Sequence, residues 1–215
     1  MKKLILGLAI AASSLTFAQK TVVKEEKTLS ATPIKFGIKG GLNSSHLGID
    51  RDGKIGFNVG VFANIPLGSS FRLQPELVYS QYGAFVKRNI TLEYDNYPRL
   101  NLDYITAPVM FQYNVSPRFY FEAGPEFGYL ASSKYSVVGT ANTPASSTDI
   151  KGVNKFNLGL GLGLGYYFTK NFGFNVRYTL GLTHAMKSDN DVIKNSNINP
   201  VTNNVLQLGL TYKFK

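Results

Sequence analysis

From Ile34 onward the chain alternates apolar residues with polar residues or glycine, the period of two that a strand imposes when its two faces meet different surroundings. In 71–82, Phe71, Leu73, Pro75, Leu77 and Tyr79 share one face, and Arg72, Gln74, Glu76 and Ser80 share the other. Residues 119–129 repeat the pattern, with Phe119, Phe121, Ala123, Pro125, Phe127 and Tyr129 opposed by Tyr120, Glu122, Gly124, Glu126 and Gly128. In 172–182, Phe172, Phe174, Val176, Tyr178, Leu180 and Leu182 oppose Gly173, Asn175, Arg177, Thr179 and Gly181, and between 156 and 168 Leu alternates with Gly four times.

Eight such segments are predicted as strands: about 34–42, 55–66, 70–83, 99–113, 118–131, 154–168, 172–184 and 204–214. Their connections alternate in length. Leu67–Ser69, Asn114–Pro117 and Thr169–Asn171 are short, whereas Asn43–Lys54, Ala84–Pro98, Ser132–Val153 and Ala185–Asn203 are long and polar. Tight turns on one side and long loops on the other describe an all-β, eight-stranded antiparallel up-and-down transmembrane barrel, with periplasmic turns and extracellular loops. One segment breaks phase. Leu102 and Tyr104 lie on the apolar phase while Ile105, Ala107, Val109, Phe111 and Tyr113 lie on the opposite one, which predicts a bulge near Tyr104–Ile105 with Pro108 inward or at the distortion.

The same alternation also fits a soluble lipocalin-like carrier turned inside out. The polar face carries Lys35, Lys39, Arg72, Glu76, Asp103, Glu122, Glu126, Arg177 and Lys213. Eight strands leave room only for packed side chains, so these charges are expected to neutralise one another in a narrow plugged lumen. Aromatic residues gather near the short turns on the apolar face: Phe71, Phe119, Phe121, Phe168, Phe172, Phe174, Tyr212 and Phe214. They read as an interfacial girdle, and on a soluble carrier they would be an exposed patch.

The N terminus reads as a secretory signal. Lys2 and Lys3 precede an apolar run from Leu4 to Phe17 and a small residue at Ala18, so 1–18 is expected to be the signal peptide, 19–33 a periplasmic leader and 34–215 the barrel. The net charge of +10 becomes +8 when Lys2 and Lys3 leave. The basic residues are scattered singly, which favours lipid headgroups over nucleic acid. The chain has no Cys, so disulfides and thiolate metal sites are excluded.

The residues resemble the outer-membrane β-barrel domain of PorT-like proteins and, in general form, the small OmpX and OmpA barrels. The resemblance runs from about Ile34 to Phe214 and rests on Gly37-Ile38-Lys39-Gly40-Gly41-Leu42-Asn43, Leu73-Gln74-Pro75-Glu76-Leu77 with Tyr79 and Gly83, and Ala123-Gly124-Pro125. Arg177-Tyr178 with Gly181-Leu182, and Leu208 to Phe214, continue it. It implies insertion by the barrel assembly machinery through a last strand ending in an aromatic residue, here Phe214, although Lys215 follows.

No catalytic, cofactor or metal site is expected. Gly159, Gly161, Gly163 and Gly165 lack nucleotide-loop spacing and read as a lumen-facing stripe that admits bulky neighbours. His46, expected in the first long loop, and His184, at the end of the seventh strand, are the only histidines, and Ser132 and Ser133 follow a strand that is not adjacent to the seventh. Asp50-Arg51-Asp52-Gly53 reads as a turn, as do Asp189 and Asp191. The surroundings are then outer-membrane lipid and lipopolysaccharide, with the loops open to an extracellular or envelope protein. Three roles follow: a structural or adhesive surface protein, an accessory component of a secretion or transport assembly, and, last, a lipid-modifying enzyme.

Overall fold

The computed structural model describes residues 33–47, 54–85, 99–137, 146–149, 153–184 and 202–214. The expected signal peptide, most of the expected leader, and the turns expected around Asp50, Asp189 and Asp191 lie outside these residues. Nine strands are present among the described residues: β1 Lys35–Leu47, β2 Lys54–Pro66, β3 Phe71–Phe85, β4 Arg99–Asn114, β5 Phe119–Val137, β6 Ser146–Asp149, β7 Phe156–Tyr167, β8 Phe172–Gly181 and β9 Asn203–Lys213. Eight form a closed antiparallel ring, β1-β2-β3-β4-β5-β7-β8-β9, sealed by β1 against β9, while β6 pairs only with the far end of β5. Among the described residues no helix is long and apolar enough to cross a membrane. Closure solves that problem for strands, because every ladder group finds a partner and no edge is left to the lipid.

Two of the three short turns are built by hydroxyls. The Ser116 Oγ accepts from the backbone N–H of Arg118 and of Phe119 (3.3 and 3.0 Å), and the Thr169 Oγ1 accepts from those of Asn171 and Phe172 (3.2 and 2.9 Å). Each hydroxyl sits three residues before an aromatic strand start and satisfies the two N–H groups that the reversal would strand.

The apolar phase faces out. Ile38, Val59, Leu77, Phe111, Phe127, Leu162 and Leu208 are exposed, while Gln74, Glu76, Glu122, Arg177 and Gln207 are buried. The soluble-carrier reading therefore fails, since it requires the opposite arrangement. Rings meet near the turn ends on this outer face: Phe71 with Tyr113, Phe119 with Phe121, Phe168 with Phe172 and Phe174, and Tyr212 with Phe214, at centroid separations of 5.0 to 5.8 Å.

The phase break of β4 has a different cause from the one expected. β4 alternates without interruption, with Leu102 and Tyr104 fully buried in the lumen, and Pro108 is also inward. The register shift opposite Asp103 and Tyr104 leaves Ala131 of β5 as the extra residue. The bulge therefore lies on the partner strand, and the inward Leu102 and Tyr104 are simply apolar side chains that fill the lumen. Asp103, on the other phase, is not among the lumen charges.

Three other boundaries move. β1 continues to Leu47, which places His46 on a strand opposite Asn204 rather than in a loop. β8 ends at Gly181, and His184 joins Thr202 only through an isolated bridge. β5 runs on to Val137 and takes β6 as a partner, so part of the third long loop is sheet.

Candidate functional site

The candidate site is the lumen, which is layered along the strands. In its middle layer Arg177 of β8 reaches across to β3, donating from Nη1 and Nη2 to the two oxygens of Glu76 at 2.9 and 2.8 Å. Its Nε donates to Glu122 of β5 at 2.8 Å, and the Lys39 Nζ donates to the Glu76 Oε2 at 2.8 Å. None of the four side chains is more than 2 % exposed.

Amides complete the shell. Gln74 donates to Glu76 and Gln112 to Glu122, and the Asn64 amide donates to both glutamines at 2.9 Å. A forked guanidinium between two carboxylates suits Arg and no other residue, and each carboxylate has an amide donor besides its cation. Six of the eight ring strands contribute.

The glycine stripe of β7 makes room for this layer. A Cβ on Gly163 would lie 3.0 Å from the Glu122 Oε1, one on Gly161 3.4 Å from the Arg177 Cδ, and one on Gly165 2.3 Å from the Tyr120 ring. The lumen-facing reading of the stripe holds, and its purpose is steric.

The extracellular half holds one buried carboxylate, and nearer the rim the Lys54 Nζ donates to the Asn101 side chain. Glu126 accepts from the Tyr82 hydroxyl at 3.0 Å and from the Thr179 hydroxyl at 3.5 Å. Tyr82 and Tyr104 pack at 5.3 Å, and the Asn58 amide donates to the Asn43 Oδ1 at 2.6 Å. Ser45 and Gly83 exchange two bonds across β2, the hydroxyl donating to the Gly83 carbonyl at 2.8 Å and accepting from its N–H at 2.9 Å. Gly83 has φ 153°, a conformation in which a side chain would be strained.

The expected mutual neutralisation is thus only partial. Lys39, Glu76, Glu122 and Arg177 pair, Glu126 is held by hydroxyls, and Lys35, Arg72 and Lys213 lie on the lumen phase at the turn ends of β1, β3 and β9. Charge counting along the sequence could not foresee this, because the phase of a strand fixes the face and leaves the depth free.

The residues considered for nucleophilic chemistry are not brought together. His46 and His184 are both exposed, on β1 and beyond β8, and Ser132 and Ser133 lie on β5 with β7 between β5 and β8. His184 engages through its backbone carbonyl, which accepts from Asn154 at 2.7 Å. Among the described residues no group of His, Asp and Glu could hold a metal ion.

An apolar belt outside, a buried polar interior and strands joined by tight turns define an integral outer-membrane β-barrel. More narrowly, the chain belongs to the outer membrane protein beta-barrel domain family, whose model matches residues 17–187. The match is to the domain family as a whole; the PorT-like likeness is one of motifs.

No curated protein matches the chain. A major outer membrane protein from Thermus thermophilus is similar in fold, with 14 % identity over 85 % of this chain and all of that one, at a TM-score of 0.52. Ail of Yersinia pestis, solved with the heparin analogue sucrose octasulfate, shares 15 % identity over 85 % of this chain and 100 % of its own, at a TM-score of 0.46. OprG of Pseudomonas aeruginosa shares 14 % over 84 % and 95 %, at 0.42.

Proposed function

We propose that this outer-membrane barrel is a non-catalytic structural or adhesive surface protein, closed to solutes by its own charge network and acting through the extracellular ends of its strands. The observation that carries the reading is the Arg177 layer. Side chains from six strands occupy the bore with ion pairs and amide bonds, and an eight-stranded ring has no width to spare for water beside them.

What the barrel does then has to happen at its rim. There β5 rises to Val137 and β6 pairs with it, with the Ser136 and Ser147 hydroxyls 3.4 Å apart and the Asn101 amide donating to Ser136 at 3.1 Å. This hairpin presents hydroxyls and amides, which suit an extracellular or envelope protein partner. The lipid neighbours are outer-membrane lipid and lipopolysaccharide, and assembly proceeds through the barrel assembly machinery.

The test replaces residues 134–149, the β5 extension with β6, by a short Gly-Ser turn. Adhesion of cells displaying the protein to protein-coated surfaces should fall to background while the purified barrel keeps its boiling-dependent gel shift. Planar bilayers containing the intact protein should show no conductance steps. Unchanged adhesion, together with co-purification of other envelope proteins, would instead make it an accessory component of an envelope assembly.

A further inference from the structure

We propose that a groove in the lipid-facing wall, floored by Gly40 of β1, is a binding site that retains one acyl chain of a phospholipid from the periplasmic leaflet. The groove holds about 680 Å³ across β8, β9, β1 and β2, and its walls are Phe172, Leu210, Tyr212, Ile38, Val59 and Val61. All six are exposed on the outer face. The register sets their places. Gly40 lies between Val59 of β2 and Leu210 of β9, and Ile38, nearer the turns, lies between Val61 and Tyr212, with Phe172 beyond Tyr212 on β8.

Gly40 stands apart from the other strand glycines among the described residues. Those on the lumen phase are required sterically, since a Cβ on any of them would lie within 3.3 Å of another atom, and within 2.1 Å at Gly41. Gly83, at the rim, is required by its φ of 153°. Gly40 is on the outward phase between the exposed Ile38 and Leu42, its φ is not positive, and a Cβ there would meet nothing nearer than the Asn58 carbonyl oxygen at 3.6 Å.

Neither the lumen nor the backbone therefore asks for glycine at 40. A glycine inside a strand forfeits ordering entropy and cross-strand packing, and where no bend or internal contact needs it, it marks the close approach of something from outside.

The position of the groove selects what approaches. Its walls present hydrocarbon and one phenol, so a polar occupant would lose hydration without gaining partners. Left unfilled, the floor would forfeit the dispersion contacts of a packed surface. An acyl chain is apolar and flexible enough to lie along it, and the volume falls within the about 300 to 1,000 Å³ of small-ligand sites.

Phe172 and Tyr212 belong to the aromatic girdle at the turn end, so the groove opens at headgroup height on the periplasmic side, where the leaflet is phospholipid rather than lipopolysaccharide. Lys170, exposed in the turn that leads into Phe172, stands at that height to attract the phosphate. On the rest of the belt a chain touches side-chain tips and exchanges freely. In the groove it touches the floor and both flanks, and it is held.

The test places the protein in nanodiscs of palmitoyl-oleoyl phosphatidylglycerol, strips the disc by collisional activation in native mass spectrometry, and counts the lipids that stay on the barrel. Gly40→Leu fills the groove from its floor, where the new Cβ makes only an ordinary contact, and Val59→Phe closes it from the wall. Leu162→Phe, on the exposed face of β7 outside the groove, is the control for bulk added to the belt. Each variant is first checked for its boiling-dependent gel shift.

One phospholipid should remain on the wild type and on Leu162→Phe under activation that leaves Gly40→Leu and Val59→Phe bare. The proposal is overturned if the wild type emerges bare, if either groove variant keeps its lipid, or if Leu162→Phe loses it as well. It is equally overturned if the wild type emerges as a dimer that Gly40→Leu splits, which would make the groove the seat of a second copy.

Discussion

Neighbouring residues of β8 live by different rules. Val176 faces lipid, where any apolar side chain of similar size would serve, because hydrocarbon is a non-directional solvent. Arg177, one residue on, makes bonds to Glu76 and Glu122 whose donors must point in fixed directions. The outer face specifies only a class of residue, whereas the inner face specifies identity and register together. Alternation along one strand thus carries two kinds of information at different densities.

The inner face is the more sensitive of the two. Arg177→Met should destabilise the barrel by about 3 to 5 kcal/mol in urea unfolding from lipid vesicles, since it leaves Glu76 and Glu122 buried with too little positive charge. From outside, Val176→Arg should cost about 2 to 4 kcal/mol at mid-membrane, and the same holds for Leu160→Arg on β7. Losses within experimental error at both positions would contradict the outward assignment.

Gly165→Ala sharpens the steric part of the inner rule. The new methyl would lie 2.3 Å from the buried Tyr120 ring, so the ring must move, at about 1 to 3 kcal/mol. The smallest effect belongs to the lipid face again. Leu160→Ile should change stability by less than about 0.5 kcal/mol, and a larger loss there would show that the outer surface packs against something more specific than lipid.

Period and phase were legible in the sequence because they are local. The eight ring strands follow from alternation, and so does the lipid-facing side where alternation is unbroken, as at Phe71 to Tyr79, whereas in β4 the faces of Leu102, Asp103 and Tyr104 did not. Partners across the lumen were not legible. Arg177 and Glu76 are 101 positions apart, and their contact depends on the stagger of every strand between them.

The Ala131 bulge escaped for a related reason. It lies on β5, whereas the apolar Leu102 and Tyr104 that suggested a bulge lie on β4, and a lumen that accepts buried Tyr and Leu beside Glu blurs the distinction between faces. The β5–β6 hairpin was masked by composition, since segments rich in Ser and Thr resemble loops.

The seam between β1 and β9 has a consequence for how the protein is made. Eleven residue pairs, from Gly37 with Lys213 to Leu47 with Asn203, join the beginning of the barrel to its end. A nascent chain cannot form them until its last segment has been delivered, and until then two strands present unpaired backbone. Completion is therefore all-or-none with respect to length. A chain stopped short of Asn203 would not give a slightly smaller barrel; it would give an open sheet that cannot rest in hydrocarbon, so that release into the bilayer reports that the closing strand has arrived.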